Sequence, residues 1–317
     1  MKILEKADDM HMVDLVYHLF CNILDTDRTY CKHLEKKFKI IELMTNHMNK
    51  FLWELQTETS EGYQTPLCKT LCCNILECLA YIARYEAVKM SKDTCCRVLS
   101  IAMAITLTYK TETPSKLCDD DVRTLFICKK IFFEIARNKK IRPSIVSNDF
   151  VIEFMMMYLD PYSRLIPDQQ NQKLGLTSDI EFACFKHVLG FINFMVELES
   201  HELIMKFVKA KAILKLGGFL WGEKTGHTHK ELKRLALHAY SNMVVSTDSG
   251  MAITQIDAFL TEAPMTQIGK DMCFSNEIDH QRESAWVLTN ILCCGSTEQV
   301  FQLWQMMEFC ETDEDSQ

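Results

Sequence analysis

The chain is expected to be all-α, a solenoid of about six helical repeats forming a single domain over residues 1–310. Three observations carry this reading. Apolar residues at helical spacing recur in block after block, each block is followed by a second amphipathic segment, and turn formers are scarce, with 10 Gly and 6 Pro among 317 residues. Alternating longer and shorter amphipathic helices, none able to bury its apolar stripe alone, stack into a solenoid. With 48% hydrophobic and 25% charged residues, the composition is that of a folded, helix-rich chain.

The blocks follow in order. VDLVYHLFCNIL opens the series and leads into YCKHLEKKFKIIELM. KTLCCNILECLAYIA is followed by SKDTCCRVLSIAMAIT, and VRTLFICKKIFFEIA by IRPSIVSNDFVIEFMMMYL. EFACFKHVLGFINFM precedes LIMKFVKAKAILKLGGFLW, LKRLALHAYSNMVV precedes GMAITQIDAFLTEA, and RESAWVLTNIL closes the series. Each long block carries one apolar stripe of helical period. Taking His18, Glu77, Lys129, His187, His238 and Trp286 as equivalent positions gives steps of about 48 to 59 residues. That exceeds the ~40–47 residues of common two- and three-helix repeats. The excess lies in polar connectors such as LQTETSEGYQTPL, YKTETPSKLCDDD, PYSRLIPDQQNQKLGLTSD and GEKTGHTHKE, where added length is thermodynamically cheap. Residues 311–317, ETDEDSQ, read as an acidic disordered tail.

Composition also narrows function. Fifteen cysteines accompany an N-terminus without an uninterrupted apolar signal segment, so free thiols in a reducing compartment are expected. No apolar run reaches the ~18 residues of a membrane span. A formal net charge of −8 argues against nucleic acid as a partner and favours a basic peptide. Cys68, Cys72, Cys73 and Cys78, the pair Cys95 and Cys96, and the pair Cys293 and Cys294 lack the paired spacing of zinc ligands and read as small packing groups. His227 and His229 read as a solvated loop, and Met155, Met156 and Met157 as core filler. No nucleophile motif, phosphate-binding loop or H-E-x-x-H is present, so no enzyme, cofactor or metal is expected.

The segment ESAWVLTNILCCGSTEQV, residues 283 to 300, holds the most specific signal. Trp286 and Asn290 lie one turn apart on the same helical face. An indole N–H and a carboxamide both require partners when buried. A groove gripping an extended peptide uses them well, since the indole covers a lysine stem and the carboxamide pairs with peptide backbone.

This segment resembles the late armadillo repeat of importin-alpha, the adaptor family that carries proteins with basic nuclear localisation signals into the nucleus, where the pattern runs close to E-A-A-W-A-x-T-N followed by S-G-G-S-x-E-Q. RLALHAYSNM is similar to the preceding repeat, with His238 at the Trp position and Asn242 at the Asn position. CFKHVLGFIN is similar to the one before, with His187 at its Trp position, and VYHLFCNILDTDRTYC to an early repeat, with His18 for Trp and Asn22 for Asn. The resemblance implies a right-handed armadillo superhelix corresponding to about the third to eighth repeats, basic cargo peptides as partners, and residence in cytoplasm and nucleus. It implies a peptide site in which Glu283 offers a carboxylate, Trp286 a stacking face and Asn290 backbone hydrogen bonds, extended by Asn242 with Ser241 beside it, by His238 as a smaller stacking face, and by Asn22. The sequence departs from the family in having no Lys/Arg-rich N-terminal segment, so direct binding to importin-beta is not expected. Glu77 and Lys129 stand at Trp positions, with Tyr81 and Phe133 at the positions four residues on, and a lysine there would repel a basic peptide. The competing expectation is an armadillo scaffold that no longer binds such signals.

Overall fold

Helices account for the regular structure of the computed structural model, which describes residues 10–27, 29–57, 65–110, 119–157, 159, 178–220, 227–245 and 249–308. The acidic tail, most of the polar connectors and the side chains of Cys68, His227 and His229 lie outside the described residues. In chain order the helices are α1 Met10–Thr26, α2 Thr29–Phe38, α3 Ile40–Thr57, α4 Thr65–Glu86, α5 Lys92–Lys110, α6 Asp119–Ala136, α7 Arg142–Val146, α8 Asp149–Met157, α9 Ser178–Val196, α10 His201–Lys209, α11 Ala212–Gly217, α12 His227–Met243, α13 Ser249–Glu262, α14 Met265–Phe274, α15 Ile278–Cys294 and α16 Thr297–Glu308. The chain divides into two compact units, Met1–Ser144 and Ile145–Gln317. Among the described residues no helix is long and apolar enough to cross a membrane.

In the first unit α1, α4 and α6 pack consecutively, α1 on α4 and α4 on α6. Helix α1 buries Val13, Tyr17, Cys21 and Leu24, a single stripe at spacings of four, four and three. Helix α4 is covered on both sides, so it is buried nearly all round, from Leu71 through Leu76 to Ala83. Its Cys72, Cys73, Cys78, Ala80 and Ala83 are small, and small side chains let two neighbours approach one helix closely. Polar rungs cross the same helices: Asn74 donates to Asp14 Oδ1 at 2.8 Å, and Lys69 pairs with buried Asp121 at 3.0 Å.

The second unit repeats this arrangement with α9, α12 and α15, while the shorter α13 contacts α10, α11, α15 and α16. Tyr240 of α12 stands edge-on to Phe259 of α13, centroids 5.1 Å apart, and its hydroxyl donates to the Ile213 carbonyl. Each of the six recurring sequence blocks corresponds to one long helix, α1, α4, α6, α9, α12 and α15. All-α architecture is thus established, and consecutive packing of the long helices within each unit is compatible with a solenoid.

The junction between α15 and α16 explains part of the sequence motif. Gly295 closes α15, its N–H donating to Ile291 O at 2.8 Å, and a Cβ there would lie 2.6 Å from that same carbonyl oxygen. Ser296 and Gln299 form a capping box at the start of α16, with Ser296 N–H on Gln299 Oε1 at 2.9 Å and Gln299 N–H on Ser296 Oγ at 3.3 Å. The Gln299 amide then reaches α13, donating to Ile253 O at 2.7 Å and to Asp257 Oδ1 at 2.5 Å.

Candidate functional site

The face shared by α12 and α15 brings together six of the seven residues expected to bind peptide. Ser241, Asn242 and His238 come from α12, and Glu283, Trp286 and Asn290 from α15. Asn22 belongs to α1 in the first unit, where it is exposed.

Trp286 is 54% exposed. A buried indole would need its N–H satisfied and its faces covered; more than half of this residue's surface meets solvent instead. Asn290, one turn further on, donates through Nδ2 to the Ser241 carbonyl at 2.8 Å. A carboxamide has two N–H donors and an oxygen with two lone pairs, so this single bond fixes its orientation and leaves the rest for a ligand.

Glu283 is committed to neighbours. His238 Nδ1 stands 3.0 Å from its Oε2 and Arg282 3.3 Å from its Oε1, and its side chain is only 8% exposed. Burial by itself would raise the Glu283 carboxyl, but hydrogen bonding and charge from His238, then from Arg282, outweigh it and hold the carboxyl below the usual glutamate range. Arg282 also pairs with Asp279 at 3.0 Å. This cation sits one turn before Trp286, with its charge offset by two carboxylates.

On α12, Asn242 turns back on its own helix instead of reaching outward. Its amide donates to the His238 carbonyl at 3.0 Å and approaches His238 Nε2 at 3.3 Å, while Ser241 Oγ donates to the same carbonyl at 2.9 Å. With Nδ1–H facing Glu283, Nε2 of the neutral ring accepts from Asn242, whereas in the imidazolium only the Glu283 contact is a hydrogen bond. The ring edge is therefore held from two sides, and the imidazole remains partly exposed.

One device recurs that the sequence reading missed. Asn193 of α9 donates forward to the Leu235 carbonyl of α12 at 3.0 Å, and Asn290 of α15 donates back to the Ser241 carbonyl of the same helix. Lys186 of α9 pairs with Glu231 of α12 at 2.7 Å, and Lys230 with Glu277 at 2.5 Å. The face is a series of cross-helix polar contacts with one exposed indole at its end.

The corresponding face of the first unit is occupied by its own cations. Arg123 of α6 holds Glu77 at 2.6 Å, and Lys130 Nζ lies 4.8 Å over the Tyr81 ring. Burial, then a hydrogen bond to Asp25, raises the Tyr81 phenol, so Asp25, Tyr81 and Lys130 form one rung across α1, α4 and α6. Lys129, expected in the groove, is instead 3% exposed. Lys130, the next residue along α6, is half-buried and sets its ammonium on the Tyr81 ring, because the apolar stripe of α6 is rotated by one position from the assumed register. Among the described residues no group of three His, Cys, Asp or Glu is disposed to hold a metal ion.

Comparison with known proteins adds nothing to this geometry: no family model and no curated protein matches the chain.

Proposed function

We propose that the chain is an importin-alpha-like armadillo-repeat adaptor that binds basic nuclear localisation signals on the α12–α15 face for protein import into the nucleus. The observation that carries this reading is Trp286, exposed at the end of a polar face with Asn290 one turn beyond it and Glu283 at its base. A lysine stem laid on the indole gains ~0.5–2 kcal/mol from cation–π attraction, and each carboxamide bond to peptide backbone adds a net ~1 kcal/mol. One complete Trp/Asn set yields weak binding, so an extended basic peptide engages this site with micromolar rather than nanomolar affinity. Fluorescence anisotropy with a labelled bipartite basic peptide tests the reading. Saturable binding lost in Trp286→Ala/Asn290→Ala supports it, and no binding at about 50 μM, a free energy weaker than ~6 kcal/mol, sinks it.

A second reading, an armadillo scaffold that no longer binds such signals, is favoured by the first unit. There Arg123 neutralises Glu77 and Lys130 covers Tyr81, so the chain's own cations take the places a basic peptide would use. Retention of a peptide-binding partner by Trp286→Ala would favour this reading.

A further inference from the structure

A second surface of α15 has no part in the peptide site. Ala285, Leu288 and Leu292 form a stripe at helical spacing that lines an apolar cleft of about 570 Å³, closed by Met272 of α14 and by Phe301 and Trp304 of α16. Trp286 and Asn290 lie on the neighbouring face of α15 and do not line it. Leu292 is 54% exposed, and Phe301 and Trp304 are 56% exposed each, with the two rings 5.9 Å apart. Large apolar side chains grouped in this way mark an interaction surface.

The chemistry of the cleft selects its occupant. Among the described residues its polar lining side chains are Thr289, Thr297 and the indole N–H of Trp304, too few to pair the backbone of an extended strand, whose N–H and C=O groups would be buried unsatisfied. A helix satisfies its own backbone and offers only side chains. No charged residue among those described lines the cleft. Helix α16 carries Glu298 and Glu308 but no lysine or arginine, and the sequence beyond it continues with Glu311, Asp313, Glu314 and Asp315. Two copies meeting here would bring like charges together, whereas a basic helix finds opposite charge. Met272 and Met307 in the lining suit a surface that adapts to varied apolar anchors.

We propose that the α14–α15–α16 cleft docks a basic amphipathic helix of a partner protein, its apolar stripe seated between Leu288, Leu292, Phe301 and Trp304 and its lysines or arginines drawn by the acidic charge of α16 and of the sequence that follows it. This inference is independent of the Trp286 site.

The test uses the full chain and a fluorescein-labelled synthetic peptide of leucine and lysine, about fourteen residues or ~21 Å as a helix, with leucines at i, i+3, i+4 and i+7. Low-micromolar saturable binding is expected, with a gain of peptide helicity by circular dichroism. A peptide of the same composition in scrambled order, and the patterned peptide against Trp304→Ala, are each expected to bind about ten-fold more weakly. Trp304→Lys, which sets a cation against the basic peptide, is expected to weaken it further. Because Trp304 is more than half exposed, both variants are expected to keep the wild-type thermal midpoint. No saturable binding, equal binding of the scrambled peptide, or full binding by Trp304→Ala overturns the proposal. So does a concentration-dependent dimer in sedimentation that Trp304→Lys dissolves, which would assign the cleft to a second copy.

Discussion

His238 Nδ1 lies 3.0 Å from Glu283 Oε2, joining α12 to α15 across 45 residues of sequence. The contact puts the carboxylate at the base of the candidate peptide site under the control of a neighbouring helix.

This pairing sets a pH dependence. The folded-state carboxyl of Glu283 is held below the usual glutamate range, so its contribution to stability is fully present above the unfolded value of about 4.3 and is lost as pH falls through the lower folded value. The wild-type melting temperature is therefore expected to fall more steeply than that of Glu283→Gln as pH drops from about 5 to 3, a window set by the ordinary glutamate value. Parallel acid limbs for the two proteins in calorimetry would show that the pairing contributes no such stability.

Peptide affinity and stability are expected to separate at the site. Trp286→Ala removes an exposed side chain and is expected to change unfolding free energy by less than about 0.5 kcal/mol while abolishing binding of the bipartite basic peptide. Asn290→Ala also removes the bond to the Ser241 carbonyl and is expected to cost about 1 kcal/mol of stability. Arg282→Ala frees one oxygen of Glu283 and is expected to tighten a lysine-rich peptide about two- to five-fold, the ~0.5–1 kcal/mol of a partly exposed ion pair. Isothermal titration and urea denaturation on the same preparations measure both quantities.

The α15–α16 junction is a structural requirement of the motif. Gly295→Ala drives a Cβ against the Ile291 carbonyl and is expected to destabilise by about 1–3 kcal/mol. At Gln299, replacement by Glu sets a carboxylate against Asp257, 2.5 Å from the present amide. Gln299→Glu is expected to be at least as destabilising as Gln299→Ala at neutral pH and to recover as the carboxylates protonate, by denaturant melts at pH 7 and 4.5, the latter being near the ordinary glutamate value of ~4.3.

Thiol reactivity is expected to follow exposure. Cys273 and Cys293 are exposed, whereas Cys21, Cys78 and Cys128 are buried, and burial pushes the Cys78 and Cys128 thiols up. Among the described cysteines, native alkylation followed by mass spectrometry is expected to label Cys273 and Cys293 first and the buried set only after denaturation. Fast labelling of Cys78 in the native protein would contradict the packing of α1 on α4.

The six long helices were legible because each carries a stripe that neighbours bury, a one-dimensional signal that periodicity preserves. Trp286 and Asn290 were legible for the same reason, since two residues four apart share a face whatever the helix packs against. The partners of Glu283 were not, because one comes from a helix 45 residues away. Nor was the inward turn of Asn242, a choice between rotamers of similar local energy decided by His238. The difference between Lys129 and Lys130 is a rotation of about 100°, finer than a stripe of mixed apolar and polar residues defines. Gln299 was visible as part of a Ser-x-x-Gln pattern, but its reach to Ile253 and Asp257 depends on α13 lying alongside.

The cross-helix bonds have a consequence for how the protein is made. Within each unit they span similar stretches of chain: Asn74 to Asp14 is 60 residues, Lys69 to Asp121 is 52, Asn193 to Leu235 is 42 and Asn290 to Ser241 is 49. During synthesis each long helix within a unit thus meets its next partner within one further repeat of emerging chain, and the newest helix is the one whose apolar stripe stays uncovered. Folding can keep pace with the ribosome, one docking event at a time, without waiting for a distant segment.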